Sequence, residues 1–154
     1  MDMIKNKKGL TLVELIVVIA IMAVLAGTIA GVTVSQLDKQ KNNNTLSEVK
    51  ILMKNFKNFM LDYEHRDNIL SATTAAAAKT AGESAMTAFK NEATSSENVV
   101  FVDSLDEAKA GKHMFNTSVS ATISDGKVIV TFSIAAKKVG TIGSDPTVSW
   151  DYAE

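Results

Sequence analysis

Few side chains in this sequence have a type and spacing that could do chemistry, and the most informative is one acid. Glu14 stands inside residues 10–34, LTLVELIVVIAIMAVLAGTIAGVTV, which hold no other charge. At depth in a membrane such a carboxylate costs on the order of 2 kcal/mol or more, so it marks a functional site and calls for a partner. Just before it, Lys5, Lys7 and Lys8 lead into Gly9 and Leu10. Glycine has no side chain to obstruct close approach to its backbone, as proteolysis requires. A cut after Gly9 would leave the apolar run on the protein and create an α-amino group at Leu10, one helical turn from Glu14. Such an amine on an incoming copy can neutralise the acid of its neighbour. At an effective dielectric of about 20, opposite charges about 4 Å apart attract by about 4 kcal/mol before desolvation is subtracted. The pair would also set register, because an apolar helix slides against its own kind whereas a buried charge pair selects one offset. The bland alternative is that Glu14 snorkels to the membrane interface.

The remaining polar candidates read as ordinary surface. His65 and His113 have no companions at metal-ligand spacing. Asp103, Asp106 and Glu107 sit where a helix would start, and acids there serve the helix dipole and solvent. Lys137-Lys138 is a charge pair with no interleaved aromatic, and with 16 basic against 17 acidic side chains the chain carries no electrostatic signature of nucleic-acid binding. GxSxG, P-loop and GxGxxG patterns do not occur. The absence of cysteine excludes disulfides, thiolate zinc sites and thiol nucleophiles. The expectation is a protein that is not an enzyme and takes no cofactor or metal, a single modest domain of 154 residues with 46% apolar composition.

Residues 10–34 must position Glu14. As a helix they extend about 37 Å, enough to cross a hydrocarbon core of about 30 Å with some tilt. Lysines before the run favour an N-terminus in the cytoplasm, with the rest of the chain outside. A cleaved secretory signal has a shorter apolar region, about 7 to 15 residues, although Leu25-Ala26-Gly27 and Ile29-Ala30-Gly31 mimic its cleavage site. Gly27 and Gly31 form a GxxxG spacing that permits close helix packing and also arises by chance in such spans. Each glycine weakens a helix by about 1 kcal/mol relative to alanine.

Lys7-Lys8-Gly9-Leu10-Thr11-Leu12-Val13-Glu14-Leu15 and the apolar run behind it resemble the class III signal of type IV prepilins and pseudopilins. The resemblance implies that a membrane peptidase cuts between Gly9 and Leu10 and N-methylates Leu10, and that Glu14 is the family's assembly glutamate. Leucine stands at residue 10 where the family most often has phenylalanine, a mild departure. Many pilins have a helix-breaking proline where this chain has Gly31. The resemblance further implies a precursor held by membrane lipid, then a homopolymer assembled by a platform protein and a cytoplasmic ATPase into an extracellular filament. The rivals are a minor pilin or a pseudopilin of secretion or DNA uptake, and a signal-anchored extracytoplasmic enzyme or binding module.

Beyond the span, Leu46, Val49, Met53, Phe56, Met60 and Tyr63 recur at helical steps, with Leu52 and Phe59 widening the stripe. Asn42-Asn43-Asn44 and the capping-box pattern Thr45-x-x-Glu48 leave open a break and restart of the helix there; a continuous helix from Leu10 to Asp67 would run about 87 Å. Residues 71–93 are alanine-rich and predict helix interrupted at Gly82. Residues 99–102 predict a short strand, and Ser104-x-x-Glu107 a capped helical turn. Asp125-Gly126 predicts a type I′ hairpin that sets Ile123 opposite Val128, Ala121 opposite Val130, Val119 opposite Phe132 and Thr117 opposite Ile134. A third strand follows at residues 147–152. The expected architecture is α+β, a long N-terminal helix, transmembrane then amphipathic, packed on a small antiparallel sheet, which matches the pilin fold. Its parts would be a leader at residues 1–9, a span at 10–34, an amphipathic helix at 35–67 and a head at 68–154.

Overall fold

The computed structural model describes residues 11–94, 99–105, 113–138 and 143–153. The chain divides into two compact units, Met1–Leu37 and Asp38–Glu154. In the first, helix α1 (Leu12–Asp62) begins and carries the apolar run, with the large side chains Leu12, Val13, Ile16, Ile21, Leu25, Val32 and Val34 among those exposed. The helix is long and apolar enough to cross a membrane.

The second unit holds the rest of α1, α2 (Asp67–Leu70), α3 (Ala75–Ala93), and strands β1 (Val99–Phe101), β2 (His113–Ser124), β3 (Lys127–Ala136) and β4 (Thr147–Tyr152). The sheet order is β1-β2-β3-β4. Here α1 buries its periodic stripe: Val49, Leu52, Met53, Phe56 and Met60 are buried, and Tyr63 and Phe59 pack against the same core. Phe56 is the hub, 4.8 Å from the Phe132 ring of β3, 5.2 Å from Phe89 of α3 and 6.0 Å from Trp150 of β4, each edge-on. The layout is a long N-terminal helix packed on a four-stranded sheet, α+β as the sequence predicts and consistent with the pilin fold.

The hairpin pairs residue for residue as its turn predicts, Ile123↔Val128 through Thr117↔Ile134. Asp125 (φ 51°) and Gly126 (φ 75°) take the two positive φ angles that a type I′ turn demands. β4 adds antiparallel to β3, with Val148, Trp150 and Tyr152 half-buried on the core side. On the other face Thr131 donates to Asp151 at 2.6 Å and the Ser133 and Ser149 hydroxyls meet at 2.7 Å.

The structure corrects three local expectations and decides a point that the sequence leaves open. The sheet is mixed, not wholly antiparallel, because β1 joins β2 in parallel. The chain after β1 is tied down by Asn116, whose side-chain amide donates to the carbonyls of Val102 and Asp103 at 3.0 and 2.7 Å. Of the two courses open at Asn42–Asn44, helix α1 takes the continuous one: Thr45 donates its hydroxyl to the Lys41 carbonyl and Ser47 to that of Asn43, both at 2.9 Å, so neither is free to start a new helix. The helix, expected over 35–67, stops at Asp62, where the Arg66 guanidinium donates to the Leu61 carbonyl and so caps the end. Finally, α3 runs straight through Gly82. A Cβ there would meet Val119 and Val130 side chains at 3.0 Å, so the glycine lets the helix approach the sheet closely. The helical turn expected from Ser104 to Glu107 extends outside the described residues.

Candidate functional site

The site begins where the described chain does. Gly9 and Leu10, the expected cut and modification positions, lie outside the described residues. Thr11 and Glu14 close the start of α1 upon themselves. The Thr11 backbone N–H donates to Glu14 Oε2 at 2.9 Å, and the Glu14 N–H donates to Thr11 Oγ1 at 3.3 Å. This is a reciprocal capping box in which two otherwise orphaned helix donors find partners. The carboxylate also sits in the first turn, where the helix dipole favours negative charge.

The arrangement changes how Glu14 should be understood. Its sequence setting calls for an outside partner, and within the chain one oxygen already has one. Among the described residues Oε1 makes no hydrogen bond, which leaves one face of the carboxylate open to an incoming cation. Thr11 is the member of this cap that the sequence pattern alone does not single out. Its signal is present all the same, since Thr11-x-x-Glu14 has the S/T-x-x-E form.

Helix α1 continues through Gly27 and Gly31. A Cβ at Gly27 would meet nothing within 4 Å, so among the described residues nothing packs against Gly27. The other candidates are scattered. His65 is exposed and stacks edge-on to Tyr63 at 5.8 Å, while His113 opens β2, paired with Val99. Lys138 is used locally, donating its ammonium to the Gly143 carbonyl at 2.8 Å and its backbone N–H to Asp145 Oδ1 at 3.0 Å. Among the described residues no three His, Cys, Asp or Glu side chains form a group that could hold a metal ion. Asp106 and Glu107 lie outside them.

The profile of the prokaryotic N-terminal methylation motif matches residues 4–30, a stretch that contains Gly9, Leu10, Glu14 and Gly27. The chain therefore carries the class III signal of a type IV pilin-like or pseudopilin precursor, and its apolar helix fits membrane anchoring. No curated protein and no solved structure matches the chain.

Proposed function

We propose that the chain is a structural subunit of a type IV pilus and not an enzyme. It is inserted in the membrane as a prepilin with its N-terminus inside, cut after Gly9, N-methylated at Leu10 and polymerised into a filament on the cell surface, serving adhesion, twitching motility or a related function. The observation that carries this reading is the methylation-motif match over residues 4–30 on a chain whose own helix then packs on a sheet. In the filament the Leu10 amine of one copy meets the open face of Glu14 on its neighbour, and the apolar helices bundle around the axis. Prepilin peptidase, a platform protein and an assembly ATPase supply the processing and the work.

Intact-mass spectrometry of the native protein tests the reading. The expected mass lacks residues 1–9 and gains one methyl group. A chain that begins at Met1, or one that has lost its apolar run, overturns it. A minor pilin or pseudopilin shares the motif, so the abundance of this chain in sheared filaments separates a major subunit from those relatives.

A further inference from the structure

β4 ends the sheet, and among the described residues no strand lies beyond it. Which of its backbone groups stay open follows from the ladder. The Ala136 N–H donates to the Pro146 carbonyl at 2.9 Å, and this pair shares the register of Ile134↔Val148, Phe132↔Trp150 and Val130↔Tyr152. Bonded and non-bonded pairs alternate in an antiparallel ladder, so Val148, Trp150 and Tyr152 bond to β3 through their N–H and C=O groups, while those of Thr147, Ser149 and Asp151 point away from it. The Thr131–Asp151 and Ser133–Ser149 side-chain bonds at 2.6 and 2.7 Å agree, since non-bonded pairs bring side chains closest. Native proteins blunt such an edge with lysine, proline or a bulge. Residues 147–152 read TVSWDY, with no lysine or proline and Asp151 as the one charge, and their register with β3 has no bulge.

The edge is complementary to itself. Turned about a two-fold axis at Ser149, a second β4 sets its Asp151 opposite Thr147, its Ser149 opposite Ser149 and its Thr147 opposite Asp151. All three open residues then form bonded pairs, and any other two-fold register leaves at least one of them without a partner in the strand. On the polar face this repeats what β4 already does with β3, serine on serine and threonine on aspartate. On the core face Val148 comes opposite the Trp150 of the second copy, twice, at the close non-bonded spacing that favours aromatic and β-branched pairs. Both side chains are only half-buried in the single chain, so apolar surface remains for a partner to cover. We propose that β4 is a homotypic docking edge, through which two copies of the second unit join antiparallel and make one sheet of their two. The pairing needs only the second unit and is independent of the pilus reading.

Disulfide capture tests it in the full chain, held in detergent micelles with a mild oxidant. The chain has no cysteine, so each contact is read from cysteines placed one at a time. Bonded antiparallel pairs stand about 5.5 Å apart at Cα, within disulfide reach. Ser149→Cys should link to its own copy. Thr147→Cys should link to Asp151→Cys when the two variants are mixed, and not to itself. Ser124→Cys, at the hairpin end of β2, should stay monomeric and controls for copies gathered by the apolar run alone. Ser149→Pro removes an N–H that points away from β3, so the sheet keeps its own ladder. Carried in both partners, it deletes both bonds of the central pair and should lower the mixed Thr147–Asp151 capture about tenfold. Ser149→Lys sets like charges face to face and should weaken capture in the same direction even where proline disturbs the strand. Ser149→Cys that links no faster than Ser124→Cys overturns the proposal, as does Thr147→Cys that links to itself as readily as to Asp151→Cys. Preferential capture of Thr147→Cys by Val99→Cys on β1 would mean sheets joined head to tail and overturns the two-fold pairing. Capture unchanged by both Ser149→Pro and Ser149→Lys overturns it as well.

Discussion

Glu14→Ala and Thr11→Val together separate the two roles of the acid. Thr11→Val removes the hydroxyl that accepts from the Glu14 N–H at 3.3 Å and leaves the carboxylate bonded to the Thr11 N–H at 2.9 Å. Loss of one N-cap side chain costs about 1 kcal/mol, about a fivefold change in an equilibrium. Glu14→Ala removes both the return arm of the cap and the anion that would meet the amine of the next copy. The Coulomb attraction in that pairing is about 4 kcal/mol at an effective dielectric near 20, an upper bound from which desolvation subtracts. Filament yield should therefore fall only severalfold for Thr11→Val and collapse for Glu14→Ala. In the proposed processing the cut at Gly9 uses neither side chain, so both variants should still lose residues 1–9. The assay compares sheared filaments with the membrane pool by quantitative blotting, with intact mass to confirm processing. Normal filament yield from Glu14→Ala refutes the pairing. An equal collapse from Thr11→Val refutes the separation of roles and makes the cap itself the requirement.

Three further outcomes follow from the geometry. Replacing Gly9 by leucine should block processing, seen as a precursor that retains residues 1–9, because the side chain stands where close approach to the backbone is needed. Phe56→Ala empties the hub between Phe89, Phe132 and Trp150 and should destabilise the second unit by about 3 to 5 kcal/mol in denaturant unfolding of the full chain; a loss below about 1 kcal/mol would mean that the site collapses to refill itself. Gly82→Leu should cost more than the roughly 1 kcal/mol that helix propensity returns, since even a Cβ would press on Val119 and Val130 at 3.0 Å, and an unchanged melting temperature would show that the sheet yields.

How legible each feature was depended on how local its determinants are. The hairpin was readable to the residue because Asp125-Gly126 fixes the turn and period-two alternation fixes the faces. The α1 stripe was readable because a run of apolar residues at helical steps has one way to be buried. The failures were non-local. Gly82 reads as a helix breaker until the sheet it must approach is known. The parallel edge strand depends on a pairing of residues 99–101 with 113–115 that no periodicity encodes.

The candidate site shows the same division in miniature. Glu14 stood out because a lone charge in an apolar run is a conflict between levels, and such conflicts gather at functional sites. Its role as a cap was missed because the partner, Thr11, creates no conflict and looks like any other residue near a helix start. The cap also bears on how a charged side chain can wait in a membrane. A carboxylate with one oxygen engaged and placed at the positive end of a helix dipole is cheaper to hold than a bare one. Complete satisfaction would leave it nothing to offer a neighbour. On the proposed reading, half-satisfaction through Oε2, with Oε1 unbonded among the described residues, would let the precursor persist alone and still gain by assembling. The two states would then differ by the remaining bond and not by the full cost of burying a charge, the smaller difference that a subunit stored in one place and built into another would need.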